Sequence, residues 1–518
     1  MAVKTINIPC GAGGLNGSAS LSLVDITELR SALNLSFEAD SWQKEGGATK
    51  INSTVITGAP KITGLVEFGT SLIKVAATSD GKIITVNSGG IASTLKTGLG
   101  SNKFSTFIET VGAASTKKLF HFNGNDIVQV WDGAAANTSN IASPPADWTG
   151  SAQPSVGISH NNRMWAFLNH RLYYSALLNH EDFLGATAGT LEIFPGEGEK
   201  IVAGISYANR LWLFKKPKGI YYIDDNNPDV TYWQIRRHNS EIGMGGPSGI
   251  TLTDLDAYFL SSEGRIHSLA KVQEFGGITS GAIMPEKIAK WIRDTVKYTQ
   301  FDKTIALYYP YKSEVHFAVT DVSGTDNNRR LVLDLHDVES PKFRWSDRDT
   351  VCSLSTFTDA NGRKKIMAGD AAGFVRELDT VNKNKDGTGY NCVFETPEFS
   401  PIGLSEYYPL GTGKYRVALQ FLELIFEPKG VHDLNIDVYG DGEFRYTVTF
   451  SMGGEAGGTL GSFILGTSAL GGGTISNTRR KLFGEYRRIK LKGYNNQANE
   501  DFSVFSMLLG FTVGSDRI

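Results

Sequence analysis

Short apolar runs recur through the first three quarters of the chain, separated by polar, glycine-bearing turns. Two neighbouring segments show the pattern best. HNNRMWAFLNHRLYYSAL (160–177) and ANRLWLFKKPKGIYYID (208–224) each read as strand, tight turn, strand. Trp165 and Trp212 lie 47 positions apart, and Tyr173 and Tyr221 lie 48 apart. Aligning further runs on these two gives equivalent residues Val75, Phe120, Trp165, Trp212 and Phe259, at steps of 45, 45, 47 and 47. Weaker copies follow at 314–335 and 364–378. A two-strand unit cannot bury its apolar face alone, so copies at a period of about 40–50 residues imply stacked units, and four-stranded propeller blades have that period. The prediction is an all-β chain with a β-propeller of about seven blades.

A further apolar run precedes each hairpin: 62–68, 104–110, 155–159, 201–206, 249–254, 303–309 and 351–357. These read as the outer strand of each blade and the first strand of each unit, apolar because blades bury both faces. Few helices are expected. DITELRSALN (25–34) places Leu29 and Leu33 on one face with Asp25 or Thr27 as cap, and MPEKIAKWIRDTVKY (284–298) has Pro285 at its start and an Ile288, Trp291, Ile292, Val296 stripe. Residues 35–42 read as a strand, and 44–52 as a turn into another. Beyond a polar stretch at 381–389 the pattern changes to longer strands, several alternating apolar and polar residues, as in an antiparallel β-sandwich. The glycine-rich 453–473 reads as a long loop or arm. The expected domains are an N-terminal arm (1–60), the propeller (61–385) and the C-terminal sandwich (386–518).

Length agrees with more than one core: 518 residues exceed what one hydrophobic core usually supports. The formal charge of −3 gives no global pull toward nucleic acid or membrane. Three widely spaced cysteines, Cys10, Cys352 and Cys392, form neither a disulfide framework nor a zinc pattern, and reduced thiols are expected. The N-terminus has no apolar signal-peptide core and no stretch approaches about 18 apolar residues, so neither a cleaved signal nor a membrane span is predicted.

Candidate chemistry is sparse. Asp224, Asp225 and Asp229 cluster, but the spacing lacks the glycine and terminal glutamate of a calcium loop and favours a solvated turn. Asn382, Asn384 and Asp386 precede Gly387 in a lysine-bearing linker, which opposes a cation. Glu181, Asp182, Glu197, Glu199 and Glu241 are available as paired carboxylates, without an acid/base signature. His160, His170 and His180 are evenly spaced but are placed in loops and a turn. No catalytic, metal or cofactor residues are therefore assigned. One basic strip stands out: Arg479, Arg480, Lys481, Arg487, Arg488, Lys490 and Lys492 against Glu485. On a strand, Arg488, Lys490 and Lys492 project from one face and Ile489 and Leu491 from the other. The strip reads as a solvated sandwich face, or as a contact for an acidic partner or passing DNA phosphates. Lys215, Lys216 and Lys218, read as loop residues, invite the same two readings.

GGLN (13–16), ALNLSFEADSWQKEGGATKIN (32–52), NNRMWAFLNHRLYYSALLNHEDF (161–183) and NRLWLFKKPKGIYYI (209–223) together resemble the tail nozzle or hub proteins of short-tailed bacteriophages. The resemblance covers roughly residues 11–380 by order of elements, and its motifs are structural. It implies a virion protein, assembled in the host cytoplasm, that forms a ring of six subunits below the portal and adaptor. That ring is the distal tail tube, which retains DNA and then conducts it non-specifically during ejection. Tail fibres, spikes or a needle are the further partners implied, and loops such as 134–154 and 453–473 are candidate gates or subunit contacts. Two other classes fit a propeller: a carbohydrate-binding or glycan-cleaving propeller with an accessory sandwich, marked by two carboxylates across a cleft, and a peptide-binding scaffold, marked by a monomer with an exposed apolar top patch.

Overall fold

The computed structural model describes residues 3–17, 24–197, 200–227, 229–270, 286–338, 340–401, 416–453 and 475–513. Pro285 and Glu199 lie outside them, as does all but the first residue of the 453–473 loop. The protein is mostly β, with short helical segments. It divides into two compact units: residues 49–336 with 349–378, and residues 1–48 with 337–348 and 379–518.

The first unit is a propeller-like arrangement of sheets. Six separate sheets hold the strand groups at Ile62–Lys96, Thr106–Asn140, Gly157–Glu192, Ile201–Asn239, Ile250–Ser268 and Ser353–Thr380. A further group, Ile305–Tyr309, Glu314–Val319 and Arg329–Asp334, is built the same way from antiparallel neighbours. We number the seven groups 1 to 7 in chain order, the further group being the sixth. The first strand of each group touches the first strand of the next, and that of group 7 touches that of group 1.

The hairpins at 160–177 and 208–224 show how sequence becomes blade. In groups 3 and 4 the first turn is His160–Arg163 and Tyr207–Arg210. Both central residues have positive φ: Asn161 and Asn162 at 46° and 57°, Ala208 and Asn209 at 50° and 56°. A two-residue turn of that hand matches the twist of its strands, and asparagine tolerates it better than most side chains. The recurrent Asn-Arg pair is thus the turn and the first residue of the second strand. Along Arg210–Lys215 alternation then splits the side chains. Leu211 and Leu213 pack with Trp165 and Tyr174 of group 3, while Trp212 and Phe214 pack with Phe259 of group 5. Val75, Phe120, Trp165, Trp212 and Phe259 each sit on the second strand of their group and are fully buried. Each such side chain contributes about 1.5–3 kcal/mol of burial.

The run that opens each unit is the innermost strand, not an outer one. Crowding at the axis is the reason. A Cβ on Gly64 would lie 2.8 Å from the Ser105 Cβ of the next group, and one on Gly204 would lie 2.5 Å from Ile158 Cδ1 of the preceding group. Small side chains are what let seven first strands approach one another.

The second unit draws its strands from both ends of the chain. One sheet runs Leu35–Ser36, Trp42–Lys44, Ser503–Val513, Val417–Phe426, Ser476–Lys481, with Lys4–Pro9 paired to Ser503–Val513. The other contains Lys342–Ser346, Ser31–Leu33, Cys392–Glu395, Ile489–Asn495, Asp433–Gly440 and Glu443–Ser451, in that order. Strict alternation buries Leu434, Ile436 and Val438, and Ile489 and Leu491. Trp42 meets Phe394 at 4.8 Å, joining the two sheets through their apolar faces.

Several expectations are corrected. Residues 1–48 are not an arm: Lys4–Pro9 pairs over six residues with Ser503–Val513, and Gly11, at φ +82°, passes against Asp40 where a Cβ would have no room. Residues 25–34 are not a helix. Leu29 bridges Leu15, and Ser31–Leu33 is a strand paired to Cys392–Glu395, so tertiary pairing overrides a local i, i+4 pattern. Residues 35–42 are a short hairpin broken by a 3₁₀ turn at Glu38–Asp40. The later helix is shorter than predicted, Ala289–Thr295 after a 3₁₀ turn at Glu286–Ile288, with Ile288, Ile292 and Val296 buried. The 134–154 segment packs down: Trp148 is buried against Tyr173 and Phe183 at 5.5 and 4.9 Å.

Candidate functional site at the propeller axis

The axis is the one place where all seven strand groups converge. The first strands surround a cavity of about 330 Å³. Its walls are Gly, Ser, Thr, Pro and apolar residues, with Thr63, Thr106, Ser355 and Thr356 supplying polar contacts and no charged side chain. The two ends of the axis differ.

Near the C-terminal ends of the first strands, neighbouring groups are tied by hydrogen bonds. The Thr358 amide and hydroxyl donate to the Glu67 carboxylate at 2.8–3.0 Å, joining group 7 to group 1. The Gly69 amide donates to Glu109 at 3.3 Å, and the Thr110 hydroxyl to Ser159 at 3.2 Å. The Tyr207 hydroxyl donates to the Leu255 carbonyl at 3.2 Å, and the Tyr308 amide to the Thr251 hydroxyl at 3.0 Å. Groups 6 and 7 meet through Lys365 over the Tyr311 ring.

Groups 3 and 4 meet in a Ser–His–Asp chain. His160 Nδ1 lies 2.7 Å from Ser206 Oγ, and its Nε2 lies 3.0 Å from Asp225 Oδ1. The residue types are those of a hydrolytic triad, which is recognised by geometry and roles. Here the imidazole is buried between two strand groups, and its backbone carbonyl accepts from Trp165 Nε1 at 3.1 Å. The chain closes an interface at the same level as the other ties, and that is the role the geometry gives it. Only the even His spacing hinted at it, because its partners sit 46 and 65 residues away.

The opposite end of the axis is lysine-rich. A cavity of about 510 Å³ is lined by Lys200, Lys216, Gln153, Phe104 and Asp302 among others. A neighbouring one of about 210 Å³ shares Phe104 and Asp302 and adds Lys61, Lys103, Lys303 and Asp326. Five lysines therefore face two aspartates around this mouth. Cys352 borders the smaller cavity, and burial pushes its thiol up to about 12, which leaves it protonated and unreactive at neutral pH.

The residues singled out from sequence fall elsewhere. Asp225 belongs to the His160 chain, Asp224 accepts from Asn226, and Asp229 caps the turn at Thr231, so the three do not converge. Asn384 accepts from the Gly387 amide in a polar turn. Glu181 is buried against Lys118 and the Ala113 amide, Asp182 accepts from the Gly185 amide, and Glu241 pairs with Lys218. His160 ends a strand instead of lying in a loop, whereas His180 lies in a turn as expected but buried on Thr110, and the two serve different interfaces. Among the described residues no group of three or more His, Cys, Asp or Glu is placed to hold a metal ion. The three cysteines are free.

The basic strip is divided between two sheets. Arg479, Arg480 and Lys481 lie on the strand Ser476–Lys481, whereas Lys490 and Lys492 lie on Ile489–Asn495. Arg479 bonds Glu423 at 2.8 Å and covers the Phe421 ring, Arg480 donates to the Thr449 carbonyl, and Lys481 sits over Phe483. Arg488 approaches Glu398 at 3.8 Å, and Lys490 bonds Glu395 at 2.8 Å. Arg487 is exposed and Lys492 half-buried. Lys215 is not a loop residue: it ends the strand Arg210–Lys215, fully buried, with its ammonium on the Phe194 carbonyl. Lys216 and Lys218 are exposed.

No protein-family model matches the chain, and no curated protein matches it. Among solved structures, the computationally designed Ika8 protein is similar over 64% of this chain and 99% of its own, with 14% identity and a TM-score of 0.38. U3-55K is similar over 64% of this chain and 98% of its own, with 10% identity and a TM-score of 0.40. The propeller arrangement itself rests on the sheets and strand contacts described above.

Proposed function

We propose that the protein is a structural subunit of the distal tail tube, the nozzle or hub, of a short-tailed bacteriophage. In this reading it acts as a seven-bladed propeller wall joined to an antiparallel β-sandwich, and it works without catalysis. The observation that carries the proposal is the closed circle of first strands, tied from group to group near one end of the axis. Radial closure leaves only short, protected sheet edges, and ties between successive groups stiffen the wall against shear. Among the described candidates for a glycan-cleaving site, His160, His180 and Glu181 are engaged in buried contacts, and Asp182 and Glu241 in turns and an ion pair. The sequence resemblance supplies the rest: six copies in a ring, with the portal and adaptor above and fibres, spikes or a needle as neighbours.

DNA would pass through the hole between subunits. A cavity of about 330 Å³ does not admit a duplex, whose major groove alone is about 12 Å wide. Three of the seven cations of the 479–492 strip, Arg479, Arg488 and Lys490, are already held by Glu423, Glu398 and Glu395, and Arg480 and Lys481 by the Thr449 carbonyl and the Phe483 ring, so a strand passing them would be held weakly. Arg487 and Lys492 are the members left for an acidic partner. Light scattering over a concentration series tests the assembly: a mass of six chains supports the reading, and one-chain mass throughout removes it.

A further inference from the structure

We propose that the lysine-rich mouth of the propeller axis is a docking site for an acidic peptide segment of a partner protein. Its carboxylates would lie against Lys200 and Lys216, and a backbone N–H would reach Gln153. The proposal does not rest on the tail reading.

The charge is concentrated and partly uncompensated: five lysines face two aspartates, Asp302 and Asp326, an excess of three positive charges. Of the five lysines around the two cavities, Lys61 is neutralised by Asp326 at 2.7 Å, and Lys303 donates to the Thr325 carbonyl at 2.7 Å. Lys103, Lys200 and Lys216 are exposed. The Lys216 amide donates to the Lys200 carbonyl at 3.2 Å, which fixes these two cations on adjacent backbone. Like charges held side by side repel, and an anion placed between them relieves that repulsion. Lining the same cavity is Gln153, 3% exposed, whose Nε2 donates to the Gly150 carbonyl while its Oε1 is buried without a hydrogen-bond partner among the described residues. A buried acceptor left unmade is costly, so the site asks for a donor as well as an anion.

That combination selects the ligand class. A phosphodiester backbone offers negative charge but no N–H. A peptide with glutamate or aspartate offers both in one extended segment, together with apolar contact for the half-buried Phe104 on the shared wall. The site is also concave, which suits a chain segment better than the outer surface of a duplex.

The test uses a fluorescein-labelled pentaglutamate peptide, titrated with the full chain and read by anisotropy. Saturable binding is expected. The double variant Lys200→Glu/Lys216→Glu should weaken it by about tenfold or more, since reversing rim charges acts on complementarity directly. Lys218→Glu, an exposed neighbour paired with Glu241 that does not line the cavity, should change it by no more than about twofold, since exposed surface pairs contribute little. Circular dichroism of each variant confirms that the fold is kept. Absence of saturable binding overturns the proposal, as does equal weakening by Lys218→Glu. Tighter binding of a labelled DNA duplex with the same dependence on Lys200 and Lys216 also overturns it, in favour of a phosphate site.

Discussion

The two units solve the same problem, stacking β-sheets, by opposite means. In the propeller, each strand group is a run of hairpins and touching groups are consecutive in sequence, except at the closure, where group 7 meets group 1 and its sheet takes in Gly47–Lys50. Its interfaces are apolar at their centres, around Trp165, Trp212, Phe120 and Phe259, and buried polar groups such as Lys215, the His160–Asp225 pair and Arg376–Asp370 join residues at most 65 positions apart in sequence. In the other unit, Ser31–Leu33 lies between a parallel strand at Lys342–Ser346 and an antiparallel one at Cys392–Glu395. There the interior carries ions. Arg344 bonds Glu45 at 2.9 Å with both side chains 2% exposed, and Lys44 holds Asn495 and the Gln497 carbonyl. Turn geometry and a repeating apolar stripe suffice where partners are adjacent. Where strands come from far apart, buried charges that tolerate only one arrangement select the partner, at some cost in stability.

The comparison is sharpest where each core is broken. Trp212→Ala should cost about 3–5 kcal/mol in chemical denaturation, by leaving a cavity between groups 4 and 5. Glu45→Gln should cost a similar amount, about 3–5 kcal/mol, because it strands a buried guanidinium. The pair Glu45→Leu with Arg344→Met should recover part of that loss, the remainder being the fully buried Arg348 guanidinium, 3.9 Å from Glu45, which keeps only other partners such as the Gly46 carbonyl. If the double variant is as unstable as Glu45→Gln, the ion pair contributes stability and not selection, and the contrast drawn here fails.

Acid should act on the propeller first. His121 and His267 are buried, and that burial, its largest cause, lowers each pKa from 6.5 to about 4. Asp126 partly offsets the shift at His121, and Arg265 adds to it at His267. A lowered pKa means that the neutral ring is favoured in the fold. The contribution is whole above about 6.5 and is lost as pH falls from there to about 4, at most about 3 kcal/mol per ring. Denaturation at pH 7.5 and 4.5 should show this fall, and His121→Leu should shrink it. A fall of the same size in the variant would assign the acid sensitivity elsewhere.

The ties between strand groups should have the smallest effect. Thr110→Val removes the hydroxyl shared with Ser159 and His180 and should cost about 1 kcal/mol. Hydrogen exchange of groups 2 and 3 is the readout, and unchanged protection there would deny the ties a stiffening role.

What could be read from sequence follows the same division. The spacing of Val75, Phe120, Trp165, Trp212 and Phe259 found the second strand of five groups because period and burial coincide there. The first strands were found but assigned to the wrong side of the blade, since apolar character does not distinguish an axis from a rim. Only crowding at Gly64 and Gly204 does that. Residues 25–34 misled because Leu29 and Leu33 obey a helical spacing while their partners, Leu15 and Val393, lie in other strands or loops. Of the lysine mouth only Lys216 stands out in sequence, because Lys61, Lys103, Lys200 and Lys216 lie on separate connecting segments, Lys303 ends the 3₁₀ helix Tyr298–Lys303, and the five meet only around the axis.

The central claim is that this chain builds a wall by assembling with itself. Electron-microscope class averages of the purified, full-length protein test it most directly. The account predicts sixfold rings with a central hole wide enough for duplex DNA. Single particles of one-chain mass under every condition tried would contradict it.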